Sequence, residues 1–479
     1  MTCKILLFSV FIFAIFTTVG AMQIQQNEFV SSVSENGNRA HTLSDSLAED
    51  VRKETIRTWN AYLKYAWPHD HLLPISKTYR DWYDEPISIS PIDAYSTLKL
   101  LGFENEAKRI ENFVADSLSF NKDIYVKVFE VDIRILGGLL AIYEMTGNRK
   151  VLEKAKNFGD RLLPAFDSPT GLPYYYVNLK TGATKGDTVN VAEAGSYLFE
   201  FGILSYYTQD PKYYQTAKRA TEKIFSLRSD IDLLGRDIDV KTGEWTFTES
   251  MVGAYVDSYF EYLYKSWLLF KDPEVKRMWD VHIEAIQKYI AESHRGTLWY
   301  GKVDMHTGRK LNSEVTLWDA YFPALLALSG DVERAKESLD SWDFLWDKHD
   351  LIPMVYDYQK DSIINPFHQL NPEVIESSYY LLAYTGDSLY YDRVRKYYQD
   401  VKRYCRTEVA YCHVESVITK KKRDEMETFF IAENMKYFYL TFSNNAPVNV
   451  RDYVFNTEAH PFKKSHFEAS KIKKRLGLN

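Results

Sequence analysis

Segments that are apolar on nearly every side alternate along the chain with amphipathic segments. Val131–Tyr143, Val191–Tyr207 and Ala254–Phe270 belong to the first kind, and Arg149–Leu163 and Lys212–Leu227 belong to the second. A helix that is apolar all round is buried, whereas an amphipathic helix covers a core with one face. The alternation therefore predicts an inner layer of helices surrounded by an outer layer.

Between the two kinds of segment, residues that typically end one helix are followed at once by residues that typically begin the next. Glycine suits the residue after a helix, asparagine or aspartate caps the next helix, and proline suits its first turn. Turns with these signals are Leu101–Glu104, Thr146–Asn148, Gln209–Pro211, Lys271–Pro273, Ser329–Asp331 and Thr385–Asp387. They recur at intervals of roughly 45 to 63 residues, which is the length of one helical hairpin with a long loop.

About seven helical hairpins fit this pattern, from a first helix at Asp50–Trp67 to a last one at Met426–Phe442. Stacked hairpins form either an open solenoid or a closed α/α toroid. The combination of apolar inner helices and amphipathic outer helices favours the closed double ring. We therefore expect an all-α barrel, and we expect a monomer because a closed ring leaves no unpaired face.

The stretch Val454–Pro461 interrupts the helical pattern close to the C-terminus. Its β-branched and aromatic neighbours predict a strand or one arm of a hairpin. In a helical chain it has little sheet to join, so we interpret it as a plug that carries Thr457 and Glu458 into the ring; an ordinary edge strand is the alternative. A threonine hydroxyl, a backbone carbonyl and carboxylate-held waters suit Ca²⁺ better than a transition metal.

Carboxylates stand near the starts of the apolar segments. They are Glu130, Glu193, Asp257, Glu373, Glu376 and Glu433. If the inner helices run parallel, these acids meet at one mouth of the ring. The helix dipole explains each of them singly, but a cluster of carboxylates repels itself unless protons or a cation are bound. The cluster suits a Ca²⁺ site and the paired acid/base chemistry of glycoside hydrolysis.

Composition narrows the range of partners. The net charge of −7 argues against a nucleic-acid partner. Aromatic residues make up 15% of the chain, which fits either sugar stacking or a tyrosine-rich helical core. Cys405 and Cys412 could pair in an oxidising compartment. Two cysteines do not form a disulfide scaffold, and their C-x6-C spacing is a poor zinc signature.

The N-terminal residues predict export. Residues 1–21 combine Lys4, an apolar core and a small-residue cleavage site, as in a signal peptide. We divide the remainder into a polar leader at 22–48, predicted to be disordered, a catalytic barrel at 49–465 and a basic tail at 466–479. The apolar run is too short for stable membrane insertion, so we expect a periplasmic or secreted protein, or alternatively one in a eukaryotic secretory lumen.

Several motifs resemble those of glycoside hydrolase family 47, the class I α-mannosidases. They are Ala66–Asp70, Phe129–Leu139, Gly171–Tyr174, Asp257–Leu263, Pro372–Ser377, Met426–Glu433 and Asn456–Pro461. The likeness spans about residues 50 to 462 and keeps the family's motif order. Val256–Ser258 and the region of Phe322 look closer to the degradation-enhancing mannosidase-like branch or to bacterial members.

The resemblance implies an (α/α)₇ barrel plugged by a C-terminal β-hairpin, with Ca²⁺ at its floor and inverting exo-hydrolysis of α-1,2-linked mannose from N-glycans or manno-oligosaccharides. It implies Glu130 as general acid, Glu373 as general base acting through water, and Asp257 as a third catalytic carboxylate. Thr457 would bind Ca²⁺ through its hydroxyl and carbonyl. The residues we expect to bind substrate or the metal's waters are Arg134, Glu193, Glu376, Phe429, Glu433 and Glu458.

The chain departs from the family pattern at three places. Tyr255 and Asn371 stand where the processing mannosidases often have arginine, and Ser96 stands where they have aspartate. These changes put the linkage preference in question. Two other hypotheses therefore remain open, a mannose-glycan binding protein without hydrolysis and an α-mannosidase of altered linkage specificity.

Overall fold

The computed structural model describes residues 45–478. The predicted targeting segment at 1–21, and residues 22–44 of the predicted leader, lie outside the described residues. A helix at 45–65 opens the described chain and therefore begins before residue 49, where we placed the start of the barrel.

Two concentric layers of helices make up the body of the molecule, as the alternating pattern predicts. The seven inner helices of the described chain are Ile89–Leu100, Gly137–Thr146, Leu198–Thr208, Asp257–Phe270, Phe322–Ser329, Glu373–Thr385 and Met435–Phe442. The seven outer helices are 45–65, Glu104–Asp116, Arg149–Leu162, Lys212–Ser226, Pro273–Tyr289, Val332–His349 and Ser388–Cys405. The fold is an (α/α)₇ barrel.

The turns between inner and outer helices use the predicted chemistry. Gly147 ends an inner helix with a φ of 68°, and Asn148 accepts a hydrogen bond at its Oδ1 from the backbone N–H of Lys150 at 3.1 Å. Gly386 and Asp387 repeat the arrangement with φ values of 72° and −78°. Glycine adopts positive φ at no steric cost, and the cap satisfies an otherwise unpaired N–H group.

The ring closes between its last and first inner helices. The last inner helix packs against Glu373–Thr385 on one side, and the segment just before it packs against Ile89–Leu100 on the other. Trp59, Trp346 and many tyrosines are fully buried between the layers. Part of the high aromatic content therefore belongs to the core.

Short strands lie in the loops between the helices. Within residues 45–478 they pair in small antiparallel sheets and do not form a central sheet. The strands are His71–Leu73, Thr78–Arg80, Tyr125–Lys127, Tyr176–Asn178, Thr184–Lys185, Thr188–Asn190, Asp237–Asp239, Trp245–Phe247, Glu249–Ser250, Ala291–His294, Thr297–Tyr300, Lys302–Asp304, Lys310–Asn312, Glu314–Thr316, Val355–Asp357, Ser362–Asn365, His413–Val414, Lys422–Arg423, Tyr453–Phe455 and Pro461–Lys463.

The C-terminal hairpin plugs the ring. Tyr453–Phe455 and Pro461–Lys463 pair antiparallel, and the turn between them is buried. Asn456 Nδ2 donates hydrogen bonds to Ile133 O at 3.0 Å and to Glu200 Oε1 at 2.8 Å, so the turn is tied to two inner-layer segments. A Cβ on Gly137 would lie 2.6 Å from Asn456 Nδ2, so glycine is required for this close approach.

Short helical segments lead into several inner helices. They are α-helical Val128–Val131 and Val191–Gly195, 3₁₀-helical Leu317–Tyr321, and π-helical Asp132–Leu136 and Phe430–Asn434. Two further 3₁₀-helices are Leu163–Phe166, after an outer helix, and Lys464–His466, after the C-terminal hairpin. The two π-helices contain predicted site residues, because Arg134 lies in the first and Glu433 in the second. A π-turn inserts a residue into a helix and is frequent at functional sites.

The remaining features concern the ends and the cysteines. The predicted basic tail forms a helix at Ala469–Leu476, and Ile472 and Leu476 are buried. Cys405 and Cys412 are buried and free. Between residues 45 and 478, every helix is too short or too polar to cross a bilayer.

Candidate active site

One cavity of about 150 Å³ lies where the inner helices begin and the hairpin turn closes the ring. Its lining contains nine of the ten predicted site residues. The lining residues are Phe129, Glu130, Ile133, Arg134, Asp257, Ser258, Glu261, Trp318, Tyr321, Pro372, Glu373, Glu376, Phe429, Glu433, Thr457 and Glu458. The three acids expected to be catalytic therefore surround one space with Thr457.

Glu130 is held by an arginine one helical turn further on. Arg134 Nε donates to Glu130 Oε2 at 3.2 Å, and Arg134 Nη1 donates to Glu458 Oε2. Asp93 lies 3.7 Å from the same Nη1 atom. The guanidinium therefore links the first inner segment to the hairpin turn. The Glu130 side chain remains 26% exposed, so it can reach a bound molecule.

Asp257 begins its inner helix, where the unpaired N–H groups stabilise a carboxylate. The backbone N–H of Ser258 donates to Asp257 Oδ1 at 2.8 Å. Burial nevertheless raises the pKa of Asp257 to about 7, and repulsion from Glu261 and Asp319 adds to the effect. The side chain is therefore poised to exchange a proton near neutral pH.

Glu373 also begins an inner helix. Asn371 Nδ2 donates to Glu373 Oε1 at 3.0 Å, while Glu373 Oε2 is buried without a hydrogen-bond partner. Burial raises the pKa of Glu373 to about 8, and repulsion from Glu376 and Asp257 acts in the same direction. One oxygen is thus fixed by the protein, and the other has no hydrogen-bond partner within it.

Glu376 lies one helical turn after Glu373, beside the buried side chain of Lys265. Tyr437 donates from its hydroxyl to Glu376 Oε1 at 3.0 Å, and Lys265 Nζ lies 4.0 Å from the same oxygen. Lys265 also donates to Glu261, which stands one turn beyond Asp257. Burial raises the pKa of Glu376 to about 7, whereas the charge of Lys265 opposes the rise.

The floor of the cavity consists of the hairpin turn and a second pair of acids. Thr457 lies in the turn, and its N–H donates to Tyr262 Oη at 3.5 Å. Burial raises the pKa of Glu433 and Glu458 well above the usual range, and Glu458 further raises that of Glu433 by repulsion. Lys436 donates to Ala459 O and fixes the turn from below.

The donor atoms at the floor fit a hard cation. They are oxygens from a threonine and from several carboxylates, which Ca²⁺ prefers, and the lining contains neither histidine nor cysteine. Between residues 45 and 478 no group of three or more His, Cys, Asp or Glu side chains is arranged to hold a metal directly. The fit is therefore to a cation bound by Thr457 oxygens and by waters that the surrounding carboxylates accept from.

Aromatic side chains form the apolar part of the lining. Phe429 stands 5.8 Å, ring centre to Cζ, from the Arg134 guanidinium, and Phe129, Trp318 and Tyr321 complete the wall. A sugar presents an apolar ring face and hydroxyl edges. The combination of aromatic walls and a carboxylate floor therefore suits a neutral sugar ring.

Glu193 is the predicted site residue that does not line the cavity. Its carboxylate accepts a hydrogen bond from Asn190 N at 3.1 Å, while Asn190 Oδ1 accepts from Glu193 N at 2.8 Å. This reciprocal capping box explains why the acid starts a helix. Burial raises the pKa of Glu193 to about 7, with a further contribution from repulsion by Glu130, so Glu193 stands close to the site.

Sequence reasoning missed Glu261, Lys265 and Trp318. Glu261 follows Asp257 by four residues and therefore shares its helix face, which was a usable signal. Lys265 repeats that spacing and supplies the buried countercharge. Trp318 lies in a 3₁₀-helix before an inner helix, and nothing in its spacing indicates the cavity.

Comparison with known proteins finds relatives along most of the chain. The model for Glycosyl hydrolase family 47 matches residues 54–464. Alpha-mannosidase I MNS5 from Arabidopsis thaliana is 33% identical over 447 residues, covering 87% of this chain and 76% of its own length. The ER degradation-enhancing alpha-mannosidase-like protein 2 from Homo sapiens is 32% identical over 448 residues, covering 86% of this chain and 77% of its own length.

A solved structure supports the architecture. The alpha-1,2-mannosidase from Trichoderma reesei superposes with a TM-score of 0.80 at 24% identity, covering 88% of this chain and 99% of that chain. At 24% sequence identity, this superposition shows that the two proteins share a fold.

Proposed function

Because the chain belongs to glycosyl hydrolase family 47, and is therefore a glycoside hydrolase of the α-mannosidase class, we propose that it is a Ca²⁺-dependent, inverting exo-α-1,2-mannosidase. Its substrates would be high-mannose N-glycans or related manno-oligosaccharides. The observation that carries the proposal is that Glu130, Asp257 and Glu373 line one cavity with Thr457.

The closed floor supports an exo mode of cleavage. The hairpin turn fills the ring below the cavity, and Asn456 and His460 are fully buried in it. A glycan can then enter only from the mouth, with its terminal sugar first. The α-1,2 linkage is proposed from the sequence resemblance and from the likeness to the alpha-1,2-mannosidase from Trichoderma reesei.

Glu130 is the proposed general acid. A general acid must hold a proton and release it to the leaving oxygen as the glycosidic bond breaks. Glu130 lies beside Arg134 and remains partly exposed, so it can reach an oxygen at the mouth side of the terminal sugar. Arg134 also contacts Glu458, so its guanidinium is shared between the two carboxyl groups.

Glu373 is the proposed general base. Asn371 holds Oε1, so the unpartnered Oε2 can accept a proton from an attacking water. Inversion requires acid and base on opposite faces of the sugar ring with room for that water. Asp257 is the proposed third carboxylate. Its pKa of about 7 allows the Asp257 carboxyl group to take up or release a proton beside Glu373 near neutral pH.

The floor residues would hold the metal and orient the sugar. Thr457 would bind Ca²⁺ through its two oxygens, and Glu376, Glu433 and Glu458 would accept hydrogen bonds from its waters or from sugar hydroxyls. When bound, Ca²⁺ would coordinate ring hydroxyls and favour the ionised state of nearby carboxylates. Phe429 would pack against the sugar and exclude water from that face.

One experiment distinguishes the proposed function from the two alternative hypotheses. Purified protein is incubated with α-1,2-, α-1,3- and α-1,6-mannobiose, and released mannose is measured. Cleavage of the α-1,2 dimer alone supports the proposal, whereas preference for another linkage supports an enzyme redirected by Tyr255 and Asn371. Binding without cleavage of any dimer supports a glycan-binding protein. The Glu373→Gln variant should release no mannose, and Glu333→Gln, which changes an exposed outer-helix acid, is the matched control.

Export is part of the proposal. The signal-like residues 1–21 support a periplasmic, secreted or secretory-lumen location, where N-glycans and manno-oligosaccharides are encountered.

A further inference from the structure

Two exposed aromatic rings enclose one arginine outside the cavity. Tyr255 is 48% exposed and Phe247 is 52% exposed. The Cζ atom of Arg236 lies 4.8 Å from the ring centre of Tyr255 and 4.0 Å from that of Phe247. We call these three residues the rim platform. Single exposed apolar residues are ordinary, but a fixed aromatic–guanidinium cluster beside a catalytic cavity needs an explanation.

The rim platform is attached to the starts of two inner-layer segments. Ala192 N donates to Tyr255 O at 2.8 Å, and Val191 N donates to Arg236 O at 3.0 Å. Arg236 N in turn donates to Phe247 O at 2.9 Å. Because Tyr255 also precedes Asp257 by only two residues, its Cα lies within about 7 Å of that of Asp257. The platform therefore stands beside the cavity that Asp257 lines.

Tyr255 holds an unfavourable backbone conformation. Its φ is 82°, which bulky residues rarely adopt and which costs free energy that surrounding contacts must offset. The loop is fixed from beneath, since Val256 is buried and a Cβ on Gly253 would lie 1.6 Å from Asp319 Oδ2. Glycine or asparagine would adopt this φ more easily. Retaining a tyrosine, with its ring in solvent, indicates a use for the ring.

The charge of the rim platform is balanced. Arg236 Nε and Nη2 donate to Asp237 Oδ1 and Oδ2 at 3.0 and 2.8 Å. This paired geometry fixes the guanidinium and leaves little net charge to attract an anion. A neutral ligand with one apolar face and hydroxyl edges suits such a surface best.

We propose that the rim platform binds the sugars on the leaving-group side of the scissile bond, with the apolar face of a pyranose against the Tyr255 ring. Phe247 and Arg236 keep that ring in place from the other side. The inference rests on the proposed function, because it takes the cavity as the site of the terminal mannose. Tyr255 is then a substrate-binding residue that selects for extended glycans.

The first experiment measures kcat/KM for α-1,2-mannobiose and for an α-1,2-mannotetraose. The variants are Tyr255→Asn, which tolerates the positive φ, Tyr255→Phe, which keeps the ring, and Phe247→Ala. Phe344→Ala is the matched control, because Phe344 is 46% exposed on an outer helix. We expect Tyr255→Asn and Phe247→Ala to lower kcat/KM for the tetraose about 3- to 10-fold, as loss of a stacked ring predicts. Tyr255→Phe should lose less than Tyr255→Asn because the ring remains, and Phe344→Ala should match the parent.

The outcomes distinguish the positions of the bound sugars. A loss with the tetraose alone places the platform beyond the first leaving sugar, and an equal loss with both substrates places it at that sugar. The inference is overturned if Tyr255→Asn and Phe247→Ala behave like Phe344→Ala with both substrates. Equal melting temperatures exclude general destabilisation as the cause of a loss.

A second measurement keeps this inference separate from the proposed function. Binding of mannotetraose is titrated calorimetrically to Glu373→Gln with and without Tyr255→Asn. Weaker binding in the double variant supports the platform even if the parent hydrolyses no substrate. Equal binding in both overturns the platform and leaves the proposed function untouched.

Discussion

Asn371 donates a hydrogen bond from Nδ2 to Glu373 Oε1 at 3.0 Å, and this contact leaves Glu373 Oε2 buried without a hydrogen-bond partner. Asn371 stands at the position where the resemblance anticipates arginine. A neutral amide fixes the carboxylate as an arginine would, but it adds no positive charge. This hydrogen bond orients the base and lowers its pKa, but burial raises the pKa by more.

Replacing Asn371 with alanine should therefore impair catalysis without abolishing binding. Hydrogen bonds to charged groups are worth about 1.5–3 kcal/mol, so we expect kcat/KM to fall about 10- to 100-fold. The hydrogen bond from the Asn371 side chain lowers the pKa of Glu373. Its loss in Asn371→Ala should therefore move the acidic limb of the pH profile to higher pH. Mannose release measured between pH 5 and 8.5 tests both effects. Asn444→Ala, at an exposed position, is the control, and an unchanged profile would contradict the assigned role.

The stability of the metal-free protein should depend on pH through Glu373. Burial raises its pKa from the ordinary 4.5 to about 8. The folded state then binds this proton more tightly than the unfolded chain, so the contribution to stability is complete below pH about 4.5 and is lost as the pH rises through 8. Melting temperatures in chelator at pH 5, 6.5 and 8 should thus fall more steeply for the parent than for Glu373→Gln. Parallel pH dependences of the two proteins would refute this prediction.

Removing the metal should stop mannose release and lower the melting temperature. Excess chelator removes a cation that binds only the folded state, and the lost stabilisation follows RT ln(1 + [L]/Kd). Adding Ca²⁺ should restore both properties. Thr457→Val removes the hydroxyl ligand and should abolish the Ca²⁺-dependent rise in melting temperature, whereas Thr419→Val, at an exposed position, should retain it. Full activity in chelator after metal removal would rule out the calcium requirement.

Arg134 should be essential to stability as well as to catalysis. Arg134→Leu leaves Glu458 and Asp93 buried without their countercharge, and breaking a buried pair costs about 3–5 kcal/mol. Urea unfolding monitored by circular dichroism measures the loss. Arg109→Leu breaks an exposed pair with Glu106 and should cost less than about 1 kcal/mol. Similar losses in the two variants would show that the buried network contributes little.

The double ring could be predicted from sequence because its signals are local. The apolar segments, the turns at Gly147 and Gly386, and the plug around Thr457 depend on neighbouring residues and on the absence of a central sheet. The position of each acid at a helix start also predicted the convergence of Glu130, Asp257 and Glu373. These predictions required only that the inner helices run parallel.

Other features depend on contacts between distant segments. Glu193 shares the helix-start position of the other acids, yet its carboxylate turns back to its own helix N-terminus as a cap. The π-helical turns that carry Arg134 and Glu433 have no sequence signature in the pattern of apolar residues. The positions of the strand that carries Phe247 and of the 3₁₀-helix that carries Trp318 depend on packing between loops.

The close contact between Gly137 and Asn456 has a consequence for biosynthesis. A ribosome delivers the inner helices in order, and the turn that fills their centre emerges only after all of them. Until then the nascent chain lacks both Thr457 and Glu458, which line the cavity in the complete protein. Premature termination ahead of the hairpin should thus yield a product that releases no mannose, since a segment translated after every inner helix completes the cavity.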